Sequence, residues 1–360
     1  MNYMKIEGLK IGNLVSRLPI IQGGMGIGIS GHRLATAVAK AGGIGVISAA
    51  QSGYNEDDFE DNNLVANIRA LKSQICKAKS AAKDGIIGVN IMVAMNNYSE
   101  IVKATVEAGA DIIISGAGLP IELPKLTKGF KTKIAPIVSS LKSARVILKV
   151  WDRHDKTTAD MIIIEGPRAG GHLGFKKDNI EEATLNFDEE ILKILDEVKI
   201  YENKYNKKIP VVVAGGVFTG YDIAKYLKLG ASGVQMATRF VATKECDASE
   251  KFKNAYINAK KEDITIVESP VGMPGRAILN SFVKRTKEGR IPVDKCYRCI
   301  HTCNPASTPY CISKALIEGV KGNLDEALIF CGDNAGRIKE IVSVDELIAE
   351  LEQDLEKALV

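Results

Sequence analysis

Residues 160–174 read Asp160-Met-Ile-Ile-Ile-Glu165-Gly-Pro-Arg-Ala-Gly-Gly-His172-Leu-Gly174. The run 161–164 is wholly apolar and stops at Glu165, which predicts a short strand covered on both faces. A glycine-rich turn follows and delivers His172, one of four histidines in the chain. Such strand-to-loop transitions are where α/β enzymes place ionisable side chains. His172 is therefore the first candidate for chemistry.

Seven further runs of the same kind predict strands at 19–22, 44–48, 86–90, 112–115, 134–138, 210–214 and 233–237. Between them lie segments with helical spacing of apolar residues. Leu34, Val38 and Ala41 share a face of 32–41, Ile101, Val102 and Val106 a face of 99–108, and Ile223, Tyr226 and Leu227 a face of 221–229. Gly42, Gly109 and Gly230 close these helices, as C-termini prefer. Eight strand–helix units within some 240 residues predict a (β/α)8 barrel, with an open doubly wound sheet as the alternative. In a barrel the residues just after each strand form one surface: Gly23, Gly24 and Met25, Ser48, Asn90, Gly116, Ser139, 165–172, Gly215 and Gly216, and Thr238.

The remaining sequence divides the expected domains into a barrel at 1–244, an appended, partly helical lid or subdomain at 245–343 and a terminal helix at 344–360. The middle part holds a Pro/Gly-rich loop at 269–276 and a cysteine-rich segment at 296–311. The 360 residues carry 48 basic and 44 acidic side chains, a net charge of +4. No basic run interleaves with aromatics, which argues against nucleic-acid binding. No stretch is long and apolar enough for a membrane span. The first fourteen residues lack a leader pattern, so the expected location is the cytoplasm, with the seven cysteines reduced.

Gly26-Ile-Gly28-Ile-Ser-Gly31 formally matches the dinucleotide turn G-x-G-x-x-G. The second strand, however, lacks the acidic residue that holds a ribose; the next acid is Glu56. The alternatives are a tight turn, or backbone at Gly23, Gly24 and Gly26 lying flat against a ring system. Gly215 and Gly216 end the seventh strand, and Gln235, Met236, Ala237 and Thr238 the eighth. Loops after these two strands commonly bind phosphate, through freed backbone N–H groups. Phosphate there, with flat backbone at the first strand, suggests flavin mononucleotide (FMN) across the barrel mouth. Asn90 would bond its ring edge or ribityl chain, unless it only caps a loop.

At Ile20-Ile-Gln-Gly-Gly-Met25, Ala41-Gly-Gly-Ile-Gly45, Gly88-Val-Asn90, the segment 165–172, Ala214-Gly-Gly216 and Gln235-Met-Ala-Thr238 the chain resembles the nitronate monooxygenase (2-nitropropane dioxygenase) family. That family includes the FMN-dependent enoyl-acyl-carrier-protein reductase of type II. The resemblance covers roughly residues 17–345. It implies an FMN barrel with His172 as the active-site histidine and with Asn90, Glu165, Gly170, Gly216 and 235–238 around the cofactor. It also implies oxidation of alkyl nitronates or nitroalkanes with O2, giving a carbonyl compound and nitrite. The alternative is NAD(P)H-dependent reduction of an enoyl thioester, with acyl carrier protein as partner. Otherwise the expected partners are a small-molecule substrate and a second copy of the chain. Three positions depart from the family pattern: Glu165 stands where Gln is frequent, Arg168 where an acid is common, and Ala237 where Gly is.

The segment Cys296-Tyr-Arg-Cys299-Ile-His-Thr-Cys303, followed by Cys311, lies outside the family pattern. Clustered cysteines in a reducing compartment suggest zinc, an iron–sulfur cluster or redox use, against the simpler reading of small buried apolar groups. Cys296, Cys299, Cys303 and Cys311 are the candidate ligands; no other metal site is expected. A flavin-binding sensor whose cysteine segment is the working part remains a third functional class. His32 is expected at a helix start, His154 in a polar turn before the sixth strand, and Asp111 and Asp160 as turn caps.

Overall fold

The computed structural model describes residues 6–360. The leader-free reading of the N-terminus rests partly on residues 1–5, outside the described residues. Eight parallel strands close on themselves: β1 Ile20–Gln22, β2 Ile44–Ser48, β3 Ile86–Met92, β4 Ile112–Gly116, β5 Lys133–Val138, β6 Ile162–Glu165, β7 Val211–Ala214 and β8 Gly233–Met236. Each pairs with its sequence neighbours, and β8 pairs with β1 through Gln235 and Ile21. This is the expected (β/α)8 barrel, and the open sheet is excluded.

Each predicted strand is found within two residues of its expected ends. The continuous apolar runs reflect two buried faces. Ile21, Val46, Ile112, Ile114, Ile163 and Val212 fill the barrel. The alternating Ile20, Ile47, Ile113, Ile162, Ile164 and Val213 face the surrounding helices. At the amino-terminal end Leu9 and Ile11, beside the Lys10–Ile11/Leu14–Val15 hairpin, join the interior cluster and stop the barrel.

Asp111 and Asp160 do more than cap turns. Asp111 Oδ2 accepts from Ile87 N at 2.8 Å, and Asp160 Oδ2 accepts from Ile134 N at 2.9 Å. Each carboxylate thus fixes the start of a neighbouring strand. His154 lies in the last turn of the helix Leu141–Asp155, not in a loop, because Trp151 is drawn into the core there and donates Nε1–H to Pro120 O at 3.1 Å.

The segment after the barrel is partly helical, as expected, with the helices Glu250–Asn258, Ser281–Glu288 and Ile312–Lys321, and it also carries strands. The first part of 269–276 is a loop, but its end belongs to a strand, Pro274–Ile278, which pairs antiparallel with Ile264–Glu268. The same strand pairs with Gly171–His172, placing His172 opposite Gly275. The helix Val344–Leu359 has its expected bounds; it buries Leu347, Ile348, Leu351 and Leu355 and packs on the barrel helix Gly220–Lys228. No helix among the described residues is long and apolar enough to cross a membrane.

Candidate active site

A cavity of about 260 Å³ opens at the carboxyl ends of the strands. Of the post-strand positions picked out by sequence, Gly23, Gly24, Met25, Ser48, Asn90, Gly116, Glu165, Gly170, His172, Gly215, Gly216 and Thr238 all border it, as do Gln235, Met236 and Ala237. Ser139 does not; its hydroxyl is donated to Gly174 O at 3.1 Å and ties two loops together.

His172 sits half-buried on the wall. Its Nε2 lies 2.7 Å from Ser269 Oγ, and its ring meets the edge of Phe330 at 5.0 Å between centroids. These contacts fix the ring plane, and Nδ1 has no protein partner among the described residues. Burial without a nearby carboxylate pushes the imidazole pKa down to about 4, so the ring is neutral at ordinary pH. The histidine loop is held from beneath by buried Arg276, whose Nη1 donates to Pro167 O at 2.8 Å and Ala169 O at 2.6 Å.

Glu165 ends β6 and borders the same cavity with no ion pair or side-chain hydrogen bond among the described residues. Burial alone raises its pKa to about 7. Gln235 Oε1, at the end of β8, is buried and has no partner, an uncommon state for a buried acceptor.

The glycines matter where backbone comes close. A Cβ on Gly24 would stand 2.4 Å from Asn90 Cβ, and one on Gly170 2.5 Å from the backbone of Cys331. Gly215 and Gly216 have φ of 92° and 87°, turning backbone at the end of β7 in a way other residues resist. The glycines of the formal dinucleotide motif are also tightly packed: a Cβ on Gly28, at φ 67°, would stand 2.6 Å from the Tyr54 hydroxyl oxygen, and one on Gly31 2.7 Å from Asp247 Cγ. The helix that follows the motif, His32–Lys40, has its first amides taken by Asp247 Oδ2, at 2.9 Å from Gly31 N and 3.3 Å from Leu34 N. With the closed barrel, this removes the dinucleotide reading.

Sequence reasoning missed the loop 330–334. Gly332 N donates to Thr238 Oγ1 at 3.1 Å, Asp333 N to Arg168 O at 3.2 Å, and Asn334 Nδ2 to Gly216 O at 2.8 Å. The loop thus laces the ends of β6, β7 and β8 together. Gly-Asp-Asn is turn chemistry, the one available signal, but nothing local says where such a turn docks. Ser269 was missed likewise. Arg168, where acids are common in the resembling family, faces Asp333 at 3.9 Å, both half-exposed at the rim.

The cysteine segment also reaches the cavity. Asn96 N donates to Cys299 O at 3.0 Å, Met95 and Ile300 form a β-bridge, and Cys299 lines the wall. All seven cysteines are free. Among the described residues no three or more His, Cys, Asp or Glu side chains converge tightly enough to hold a metal ion.

The family model for nitronate monooxygenase matches residues 9–354. A probable nitronate monooxygenase of Staphylococcus aureus (strain Newman) is 30% identical over 298 residues, covering 76% of this chain and 79% of that protein. A (3aS,4S,5R,7aS)-5-hydroxy-7a-methyl-1-oxo-octahydro-1H-indene-4-carboxyl-CoA dehydrogenase of Rhodococcus jostii (strain RHA1) is 28% identical, over 74% of this chain and 64% of that protein. Among solved structures, FabK from Thermotoga maritima superposes with a TM-score of 0.71 at 26% identity, covering 95% of this chain and 93% of that one. Together with the barrel and the residues gathered at its mouth, these matches place the chain in the nitronate monooxygenase family, to which it belongs.

Proposed function

We propose that this oxidoreductase binds FMN and oxidises alkyl nitronates, or the parent nitroalkanes, with O2 to a carbonyl compound and nitrite. The observation that carries the reading is a neutral, oriented His172 facing the same cavity as the partnerless Gln235 Oε1. An orphaned buried acceptor beside glycine-lined backbone fits a planar ring that brings its own N–H donors. Gly23, Gly24 and Met25 would lie against the ring, and Asn90 and Gln235 would bond its polar edge. Gly215, Gly216, Ala237 and Thr238 would hold the phosphate, with Gly170 and Glu165 between the two ends. Bound there, a flavin would supply the electron chemistry between substrate and O2.

The chain's residues do the remaining work. Ser269 and Phe330 orient the imidazole, and Nδ1, without a protein partner among the described residues, would be the nitrogen that meets the substrate. A neutral ring can donate a hydrogen bond to a nitronate oxygen, or accept the α-proton when a nitroalkane enters. Glu165 near neutrality can hold or release a proton beside the ring.

A second reading, reduction of an enoyl thioester, draws support from the Rhodococcus relative, whose name specifies a CoA thioester. The two separate in one experiment. FMN-loaded protein is mixed anaerobically with propionate-3-nitronate, and separately with NAD(P)H, while flavin absorbance is followed. Bleaching by nitronate alone is expected. Rapid bleaching by NAD(P)H, reversed by a crotonyl thioester, would replace the first reading with the second. The His172→Asn variant should keep its flavin and lose turnover by about 10²–10⁴-fold; undiminished turnover would remove His172 from the chemistry.

A further inference from the structure

The hydrogen between His172 and Ser269 decides what the histidine can do, and the bonds around it say which atom bears it. His172 Nε2 and Ser269 Oγ are 2.7 Å apart, so one hydrogen joins them, carried either by the ring or by the hydroxyl. Ser269 is buried, and its Oγ already accepts from Val271 N at 3.3 Å. Were Nε2 protonated, Oγ would accept twice, and its own hydrogen would meet no acceptor among the described residues. Buried hydroxyls avoid that state, because the lost bond to water is not replaced. With the hydroxyl hydrogen donated to Nε2, both groups are satisfied. A neutral imidazole carries one N–H, which then belongs to Nδ1. The ring is neutral because burial, with no carboxylate beside it, holds its pKa down at about 4.

Neither partner is free to rearrange. Gly275 pairs with His172, and Leu173 N donates to Pro274 O at 2.8 Å, which ties the histidine strand to the segment that follows Ser269. Gly272 N donates to Ser269 O at 2.9 Å and closes the turn around the serine. Phe330 lies against the imidazole and limits its rotation. In this arrangement the Nε2 lone pair is engaged by the serine and Nδ1 holds a hydrogen. The ring has no lone pair left with which to take a proton, and one N–H to give. We propose that Ser269 is the positioning residue that locks His172 as its Nδ1–H tautomer, so that the imidazole donates a hydrogen bond to a nitronate already ionised and is no base for a neutral nitroalkane. This rests on the nitronate reading and narrows it. The substrate would arrive with its α-proton gone, and the ring N–H would meet a charged oxygen, where a hydrogen bond is strongest. No proton changes hands at this contact.

The tautomer is read from nitrogen magnetic resonance spectra of full-length protein carrying isotope-labelled histidine. The His172 signals are identified by their absence from His172→Asn. At neutral pH, couplings to the ring C–H hydrogens should show Nδ1 protonated and Nε2 bare. In Ser269→Ala that signature should give way to the Nε2–H form or to a mixture. The same variant should keep its flavin, and its kcat/KM for ethyl nitronate should fall by about tenfold or more, as for one lost hydrogen bond to a charged group. Nε2 protonated in the wild-type spectrum, or an unaltered Nδ1–H signature in Ser269→Ala, would overturn the proposal whatever the turnover. Wild-type kcat/KM for ethyl nitronate should exceed that for freshly dissolved, neutral nitroethane by about 10²-fold or more, the size of a missing general base. Equal values would overturn it as well. Turnover of neither compound would count against nitronate oxidation itself, while the spectrum, which needs no substrate, still decides the tautomer.

Discussion

His172 and Glu165 share one cavity, but burial moves their titrations in opposite senses. The imidazole falls from 6.5 to about 4 and the carboxyl rises from 4.5 to about 7. In the unfolded chain both return to ordinary values, so each shift is a pH-dependent stability term. For His172 the folded state resists a proton the unfolded state accepts; its contribution is full above about 6.5 and is lost as pH falls toward about 4. For Glu165 the contribution is full below about 4.5 and is lost as pH rises through about 7. Between 4.5 and 6.5 the two slopes oppose one another. In flavin-stripped protein Glu165→Gln should therefore gain melting temperature over wild type progressively from pH 4.5 to 7. His172→Asn should gain it progressively as pH falls from 6.5 to 4. Melting curves across that range check both, and a pH-independent offset for either variant would contradict the assigned burial cause. Sequence pointed to both residues because each follows an apolar strand. Their protonation was not legible, since it depends on what Phe330, Ser269 and the loop 330–334 exclude from the cavity, and those lie roughly a hundred or more residues further along the chain.

At the scale of elements, β1 to β8 were readable because a strand buried on both faces leaves an unbroken apolar run. The strand Pro274–Ile278 was not, because Pro, Gly and Arg occupy its first three positions and read as a turn. It forms because Gly171–His172 on one side and Ile264–Glu268 on the other supply its hydrogen bonds. Strand starts depend on single side chains. Asp111 accepts from Ile87 N at 2.8 Å and pairs with Lys79 at 2.6 Å. Asp111→Ala leaves that amide without its carboxylate and should cost about 1–3 kcal/mol of stability. Urea denaturation measures this, with flavin content unchanged because the residue sits at the opposite end of the barrel from the cavity. Loss of flavin at full stability would mean that the strand starts and the cavity are coupled.

The whole molecule is a barrel whose last helix returns to cover it. Val344–Leu359 buries Leu351 and Leu355 against the helix Gly220–Lys228, and its backbone passes so close that a Cβ on Gly220 would stand 2.3 Å from Leu351 O. Leu351→Ala should cost about 2–5 kcal/mol, read as a lowered denaturation midpoint with an unchanged denaturant slope. A loss below 1 kcal/mol would show that the helix is dispensable to the barrel. The helix was legible from its amphipathic spacing, but its docking surface was not, since Gly220 carries no apolar signal. One feature at this scale bears on how the protein comes into being. Arg276 grips the carbonyls of Pro167 and Ala169, more than a hundred residues upstream of itself. A chain leaving the ribosome can close all eight barrel strands before Arg276 has emerged, yet its histidine loop then lacks the guanidinium that shapes it. The histidine loop thus takes its final shape only after the segment that carries Arg276 has been made, later than every strand of the barrel on which it stands.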